Sequence, residues 1–218
     1  MRRGALLGIM SKRPDFSKYV AHFTKDGKPC SNDADCSVAA QSAKDRLLSI
    51  LKSKTLLASK MPWIDTKGVC FTESPWSSLI AHTKQYSPYG IGFKKQLVYN
   101  QKGGPVYYIR SDIYSYLRKK KNGIPSRILP FISPFSPSYR NKYQKDVFKK
   151  DVDYTFEREW RVPKDFSFDY TDIEFLIVDT FQDVQEINSI LNNAISIDKY
   201  IVLENYTRIE SIWPVHIL

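Results

Sequence analysis

Two acidic residues with one residue between them, Glu157 and Glu159, sit in the segment Tyr154-Thr-Phe-Glu-Arg-Glu-Trp-Arg161. The segment reads as a strand, and alternate residues of a strand share a face. Glu157, Glu159 and Arg161 then point one way, and Phe156, Arg158 and Trp160 the other. Two carboxylates about 7 Å apart on one face repel each other, which raises the pKa of one of them. Arg161 offsets this by pairing with either. A solvated edge strand with a salt-bridge ladder accounts for the pattern as structure. A catalytic carboxylate pair accounts for it as chemistry: one carboxylate binds a ribose 2′-hydroxyl and stabilises positive charge developing at the sugar carbon.

Two other stretches carry matching chemistry. His22-Phe-Thr24 places an imidazole near a hydroxyl, a pair able to hold a ribose hydroxyl or an amide. Gly68-Val-Cys-Phe-Thr-Glu-Ser-Pro-Trp-Ser-Ser78 reads as a strand passing into a helix, with Ser74 as N-cap and Pro75 at the first helical position. Such a junction offers backbone N–H groups to a pyrophosphate. The three pieces together suit cleavage of the nicotinamide–ribose bond of NAD, bound as a substrate. Glu73 reads more simply as a favourable charge near a helix N-terminus, and Trp76 as packing. His82 reads as a surface residue and His216 as structural. Cys30, Cys36 and Cys70 are an odd count without metal-ligand spacing, expected as free thiols in a reducing cytoplasm. No metal is expected, and the chain has neither a Walker A loop nor a defensible Ser-His-Asp arrangement.

The elements that position these residues are legible from pattern. Strands are expected at Tyr19–Thr24, Gly68–Thr72, Tyr89–Lys94, Val106–Arg110, Glu174–Asp179 and Tyr200–Leu203, with a last one at Ile209–Ile212. Helices are expected from about Val38 to Lys54 behind Ser37, from Pro75 to about Tyr86, from Asp112 to about Lys121, and from Val184 to Ala194. Residues 55–67 read as irregular, and 124–138, with Pro125, Pro130, Pro134 and Pro137, as an extended rigid loop. The glycines of Tyr89-Gly-Ile-Gly-Phe mark a close approach of backbone or ligand. This alternation predicts an α+β fold with mixed, mostly antiparallel sheets flanked by helices. At 218 residues, 42% hydrophobic with 14 Tyr and 12 Phe, one domain over 1–218 is expected, with 1–18 as an N-terminal extension.

The formal charge of +10 and pI near 9.4 favour a polyanionic partner, most simply nucleic acid through phosphate contacts; an acidic protein partner and mere solubility are alternatives that charge alone does not separate. Arg118, Lys119, Lys120 and Lys121, with Arg140 and Lys142, are interleaved with Tyr114, Tyr116, Tyr139 and Tyr143. That mixture suits a nucleic-acid groove. No apolar run approaches the about 20 residues that span a bilayer. The opening Met-Arg-Arg-Gly-Ala-Leu-Leu-Gly-Ile-Met lacks a full signal-peptide pattern, and Met10 is an alternative start. A cytoplasmic protein is expected.

Five ordered blocks resemble the AbiGi-like abortive-infection phage-resistance family. They are Val69–His82, Tyr86–Lys94, Pro105–Tyr108, Glu157–Arg161 and Phe175–Val178, and His22-Phe-Thr-Lys25 with Leu48-Ser-Ile-Leu51 fits as well. The resemblance spans roughly residues 19–205. It implies a place in an abortive-infection or toxin–antitoxin system, hence a cognate toxin or antitoxin partner. A more distant resemblance is to ADP-ribosyltransferases, through His-x-Thr on a first strand, a Gly-x-x-Phe strand entering a Ser-rich helix start, and a late strand with Glu. It implies an ADP-ribosyltransferase-like fold and an enzyme moving ADP-ribose from NAD to a nucleic-acid or protein acceptor. Glu159 would be catalytic and Glu157 would orient the acceptor. His22, Thr24, Phe71, Ser77, Ser78 and Arg161 would bind NAD. The tyrosine that this family places inside the second helix is replaced by Leu79, Ile80 and Ala81, leaving Tyr86 and Tyr89 as the nearest. The other reading is a non-enzymatic antitoxin-type module that recognises a toxin or DNA through its basic surface.

Overall fold

The computed structural model describes residues 17–27, 41–61, 64, 66–73, 83, 86–120, 123–136 and 153–212, without the side chains of 209–212. Among these, the strands in chain order are β1 (Tyr19–Phe23), β2 (Thr55–Leu56), β3 (Ser59–Lys60), β4 (Lys67–Phe71), β5 (Gly90–Lys94) and β6 (Gly104–Pro105). They continue as β7 (Tyr107–Arg110), β8 (Ile132–Phe135), β9 (Trp160–Val162), β10 (Phe166–Ser167), β11 (Ile173–Val178) and β12 (Tyr200–Val202). The helices are α1 (Ala43–Ser53), α2 (Lys95–Asn100), α3 (Ser111–Arg118), α4 (Phe181–Ile190) and α5 (Leu203–Ile212). The chain forms two units. One comprises 1–55, 75–94 and 167–218; the other comprises 56–74 and 95–166.

The first unit is organised on a four-stranded sheet of order β1-β5-β11-β12. The β1–β5 and β5–β11 pairs are antiparallel, and β11–β12 is parallel. Ile91, Phe93, Leu176, Ile177 and Val178 are fully buried, so the two central strands read as apolar runs. The glycines of β5 meet aromatic rings of their own unit. A Cβ on Gly92 would come within 2.2 Å of the Phe175 ring, and one on Gly90 within 3.1 Å of Phe23. These residues face each other in register, Phe175 with Gly92 and Phe23 with Gly90.

Helix boundaries follow side-chain caps. Ser42 accepts the Asp45 N–H and starts α1, which buries Leu47, Leu48 and Leu51 and ends at Lys54 in the left-handed region. The helix therefore begins five residues after the position expected from Val38, and Ser37 lies outside the described residues. Helix α4 begins three residues earlier than the pattern predicts, because Thr180 and Asp183 form a capping box. It ends before Asn192 and Asn193, both at positive φ. The expected strand over Ile209–Ile212 is instead the end of α5. The Glu204 N–H bonds to the Asp179 carbonyl, turning the chain into a helix as it leaves β12.

Asp183 ties this unit together. Its carboxylate pairs with Lys44 at 2.8 Å and accepts from the Tyr89 hydroxyl at 3.2 Å and the Thr180 N–H at 2.9 Å. Burial pushes its pKa up, but Lys44 and Thr180 more than reverse this, so the carboxyl titrates below its ordinary 3.8. Burial and the same carboxylate push the Tyr89 hydroxyl up to about 12. A carboxyl with a depressed folded pKa stabilises the fold above its unfolded pKa and loses that contribution as the pH falls through the folded value. Urea unfolding should therefore show stability declining below about pH 4. Asp183→Asn should cost about 1–3 kcal/mol at neutral pH and flatten that decline.

The second unit holds an antiparallel sheet of order β3-β4-β9-β6 and a parallel β7–β8 pair. Met61, Ile64, Tyr114 and Ile132 form a core that Ile109, Ile124 and Leu129 complete. The stretch expected as a Pro-rich loop contains a 3-10 turn, Leu129–Phe131, and the strand β8. Pro130 is the second residue of that 3-10 segment, within its first turn, where no N–H is needed. Pro134 fits β8 because each strand of a two-stranded ladder has one side without a neighbour. The α+β class and the mixed, mostly antiparallel pairing are as the sequence predicts.

Candidate functional site

The segment around Glu157 and Glu159 is not one strand. Asp153 accepts both the N–H and the hydroxyl of Thr155, at 3.0 and 2.6 Å, and this local bond starts a 3-10 turn over Thr155–Glu157. Arg158 follows in the left-handed region with φ 46°, and extended structure begins only at Trp160. The two glutamates are therefore not alternate residues of a ladder. The Tyr108 hydroxyl clamps the turn, donating to the Tyr154 carbonyl at 3.0 Å and accepting the Glu159 N–H at 3.0 Å. Burial pushes that phenol up to about 12.

Backbone bonds fix Glu157 against the end of β4. Its carbonyl accepts the Thr72 hydroxyl at 2.7 Å and the Glu73 N–H at 3.2 Å. Its side chain is buried.

Glu159 is held by Arg161 in a bidentate pair. Arg161 Nε donates to Oε1 at 2.7 Å and Nη2 to Oε2 at 2.8 Å. The guanidinium is 3% exposed and donates through Nη1 to the Ile132 and Pro130 carbonyls, at 2.8 and 3.1 Å. Burial opposes its charge and Glu159 more than offsets that, so its pKa lies above the ordinary value. This one side chain thus joins β9 to β8 and the 3-10 turn before it. A planar fork with five donors suits that task, and a lysine would not replace it.

A second carboxylate cluster lies at the end of β4. Glu73, 8% exposed, accepts Lys95 Nζ at 2.5 Å and Arg158 Nη2 at 3.1 Å on Oε1, and the Trp160 indole N–H at 2.8 Å on Oε2. Lys95 also lies over the Trp160 ring, 5.5 Å from its centroid. Burial holds the Lys95 pKa below its ordinary value, with Glu73 opposing. Glu73 is therefore the anchor that holds the left-handed Arg158 and the first residue of β9. Its reading as a helix cap did not find this role. The available signal was Trp160, whose N–H needs an acceptor when the ring packs.

The expected site residues fall into both units. In the first, His22 lies on β1 opposite Ile91. Thr24 is buried, and its hydroxyl donates to the Ala43 carbonyl at 2.8 Å, with the Tyr89 carbonyl at 3.2 Å and Ser87 Oγ at 3.4 Å. In the second, Phe71 is buried against Phe166, with ring centroids 5.2 Å apart. That unit also brings Glu159 and Arg161 together and contains Glu157. Arg118, Lys119 and Lys120 are exposed at the end of α3. Ser77, Ser78, Lys121, Arg140 and Lys142 lie outside the described residues. Among the described residues, no group of three His, Cys, Asp or Glu side chains could hold a metal ion. No described helix is long and apolar enough to cross a membrane.

Searches of curated proteins and of solved structures return no match. A family model does match, over residues 61–200, and its description is "Putative abortive phage resistance protein AbiGi, antitoxin". The matched span includes Glu73, Lys95 and the turn from Asp153 to Arg161, and it covers more than half of the chain. The chain belongs to the AbiGi family of abortive phage resistance proteins.

Proposed function

We propose that this chain is an antitoxin-type binding module of an abortive-infection system, which acts by holding a partner toxin and does not turn over NAD. The supporting observation is the state of Glu159. Both of its oxygens are engaged by Arg161, and Arg161 in turn holds two backbone carbonyls. A bidentate pair fixes that carboxylate on the guanidinium that supports β8, an arrangement that serves the fold. Thr24 is likewise occupied by backbone carbonyls. The antitoxin description of the family model agrees with this reading.

Expression in a bacterial host tests it. The chain alone should not slow growth, and co-expression with the toxin encoded beside it should relieve that toxin's effect and give a co-purifying complex. The transferase reading predicts the opposite. The chain alone would be toxic, and Glu159→Gln would abolish the toxicity without loss of folded protein.

A further inference from the structure

The net charge of the chain is confined to one stretch. Residues 101–150 hold twelve Lys and Arg against two Asp and no Glu, so they carry the whole +10 and the remaining residues balance. Helix α3 lies in this stretch. Ser111 and Tyr114 mark its buried face. Ile113 and Tyr116, at 45% and 60% exposure, lie on another face three residues apart. Lys120, a further turn along, sits 5.1 Å over the Tyr116 ring. Asp112, the one acidic residue of the helix, is taken by Arg110 through hydrogen bonds of 3.1 and 2.9 Å, so it does not neutralise Arg118, Lys119 or Lys120.

A basic helix end is ordinarily a solvated one, since cations favour a helix C-terminus. Two observations go beyond that. The whole charge imbalance of the chain lies in the stretch of sequence that contains this helix, and an exposed tyrosine shares its outer face with Lys119 and Lys120. Charge alone suits an acidic protein equally well. The exposed ring beside Lys119 and Lys120 favours bases and phosphates, because every base has a face to stack and duplex bases do not offer theirs. We infer that the outer face of α3 binds single-stranded nucleic acid, with Tyr116 stacking a base and Lys119 and Lys120 contacting phosphates. This goes beyond toxin binding and is read separately from it.

Fluorescence anisotropy of the full chain with labelled oligo(U) or oligo(dT) of about 20 nucleotides, longer than a typical single-strand site of about 4–16, tests this. Affinity should fall linearly on logarithmic axes between about 50 and 200 mM salt. The double variant Lys119→Ala/Lys120→Ala should lower that slope by about 1.4, at about 0.7 per lost phosphate contact. Tyr116→Ala should weaken binding about tenfold with the slope retained, while Tyr116→Phe should bind like the wild type. Absence of binding at low salt overturns the inference, as does binding that neither Tyr116→Ala nor the lysine variant weakens. A hairpin duplex bound as tightly as the strand and indifferent to Tyr116→Ala also overturns it. So does loss of toxin neutralisation in the lysine variant with strand binding unchanged, which would make the face a protein-docking surface.

Discussion

Glu73→Ala is expected to lower the stability of the second unit by about 3–5 kcal/mol, the range for removing one partner of a buried ion pair. The substitution takes from Lys95 and Arg158 the carboxylate that both pair with, and removes the acceptor of the Trp160 indole N–H. Since domains hold about 5–15 kcal/mol in all, this is a large share. Glu73→Gln keeps an acceptor for Trp160 and should cost less than Glu73→Ala. Adding Lys95→Met to Glu73→Ala should recover part of the loss, because the half-buried cation that Glu73 balances is gone as well. Urea unfolding of the four proteins measures this. A Glu73→Ala protein as stable as the wild type would show that the cluster contributes nothing.

Arg161→Leu should be comparably damaging, at about 3–5 kcal/mol. It strands the Glu159 carboxylate and leaves the Ile132 and Pro130 carbonyls without their donor. Arg161→Lys should not rescue it, because an ammonium cannot serve a bidentate carboxylate and two carbonyls at once. Glu159→Gln removes only the charge and one acceptor, and about 1–3 kcal/mol is expected. The ordering Arg161→Leu, then Glu159→Gln, then wild type in thermal melts follows from the bond count around the guanidinium. A Glu159→Gln protein that melts with the wild type would instead mark Glu159 as a residue kept for chemistry.

The local rules that made the sequence legible also set where it misled. The apolar runs of β5 and β11 declare buried strands, and the structure has them at the centre of one sheet. Helices were legible where their caps were: Thr180 with Asp183 shifts α4 by three residues, a bond within the capping box itself. The turn at Thr155–Glu157 was hidden because alternating Phe, Glu, Arg and Trp imitates a strand, while one hydrogen-bonding side chain, Asp153, decides the backbone. Glu73 was hidden for a different reason. Its partners Arg158 and Trp160 lie 85 and 87 residues away, and no local pattern reports such a contact. The two units were not legible either, because each is assembled from separated stretches of chain. The sequence pairs Arg161 with one of the two glutamates, and in the structure that glutamate is Glu159, held where the guanidinium also supports β8.

Nicotinamide release from NAD by the full chain, with and without single-stranded nucleic acid, tests the central claim most directly when Glu159→Gln is run beside the wild type. Neither protein should release nicotinamide above buffer, and Glu159→Gln should melt at a lower temperature than the wild type. Release by the wild type that Glu159→Gln abolishes, with the melting temperature unchanged, would contradict that claim.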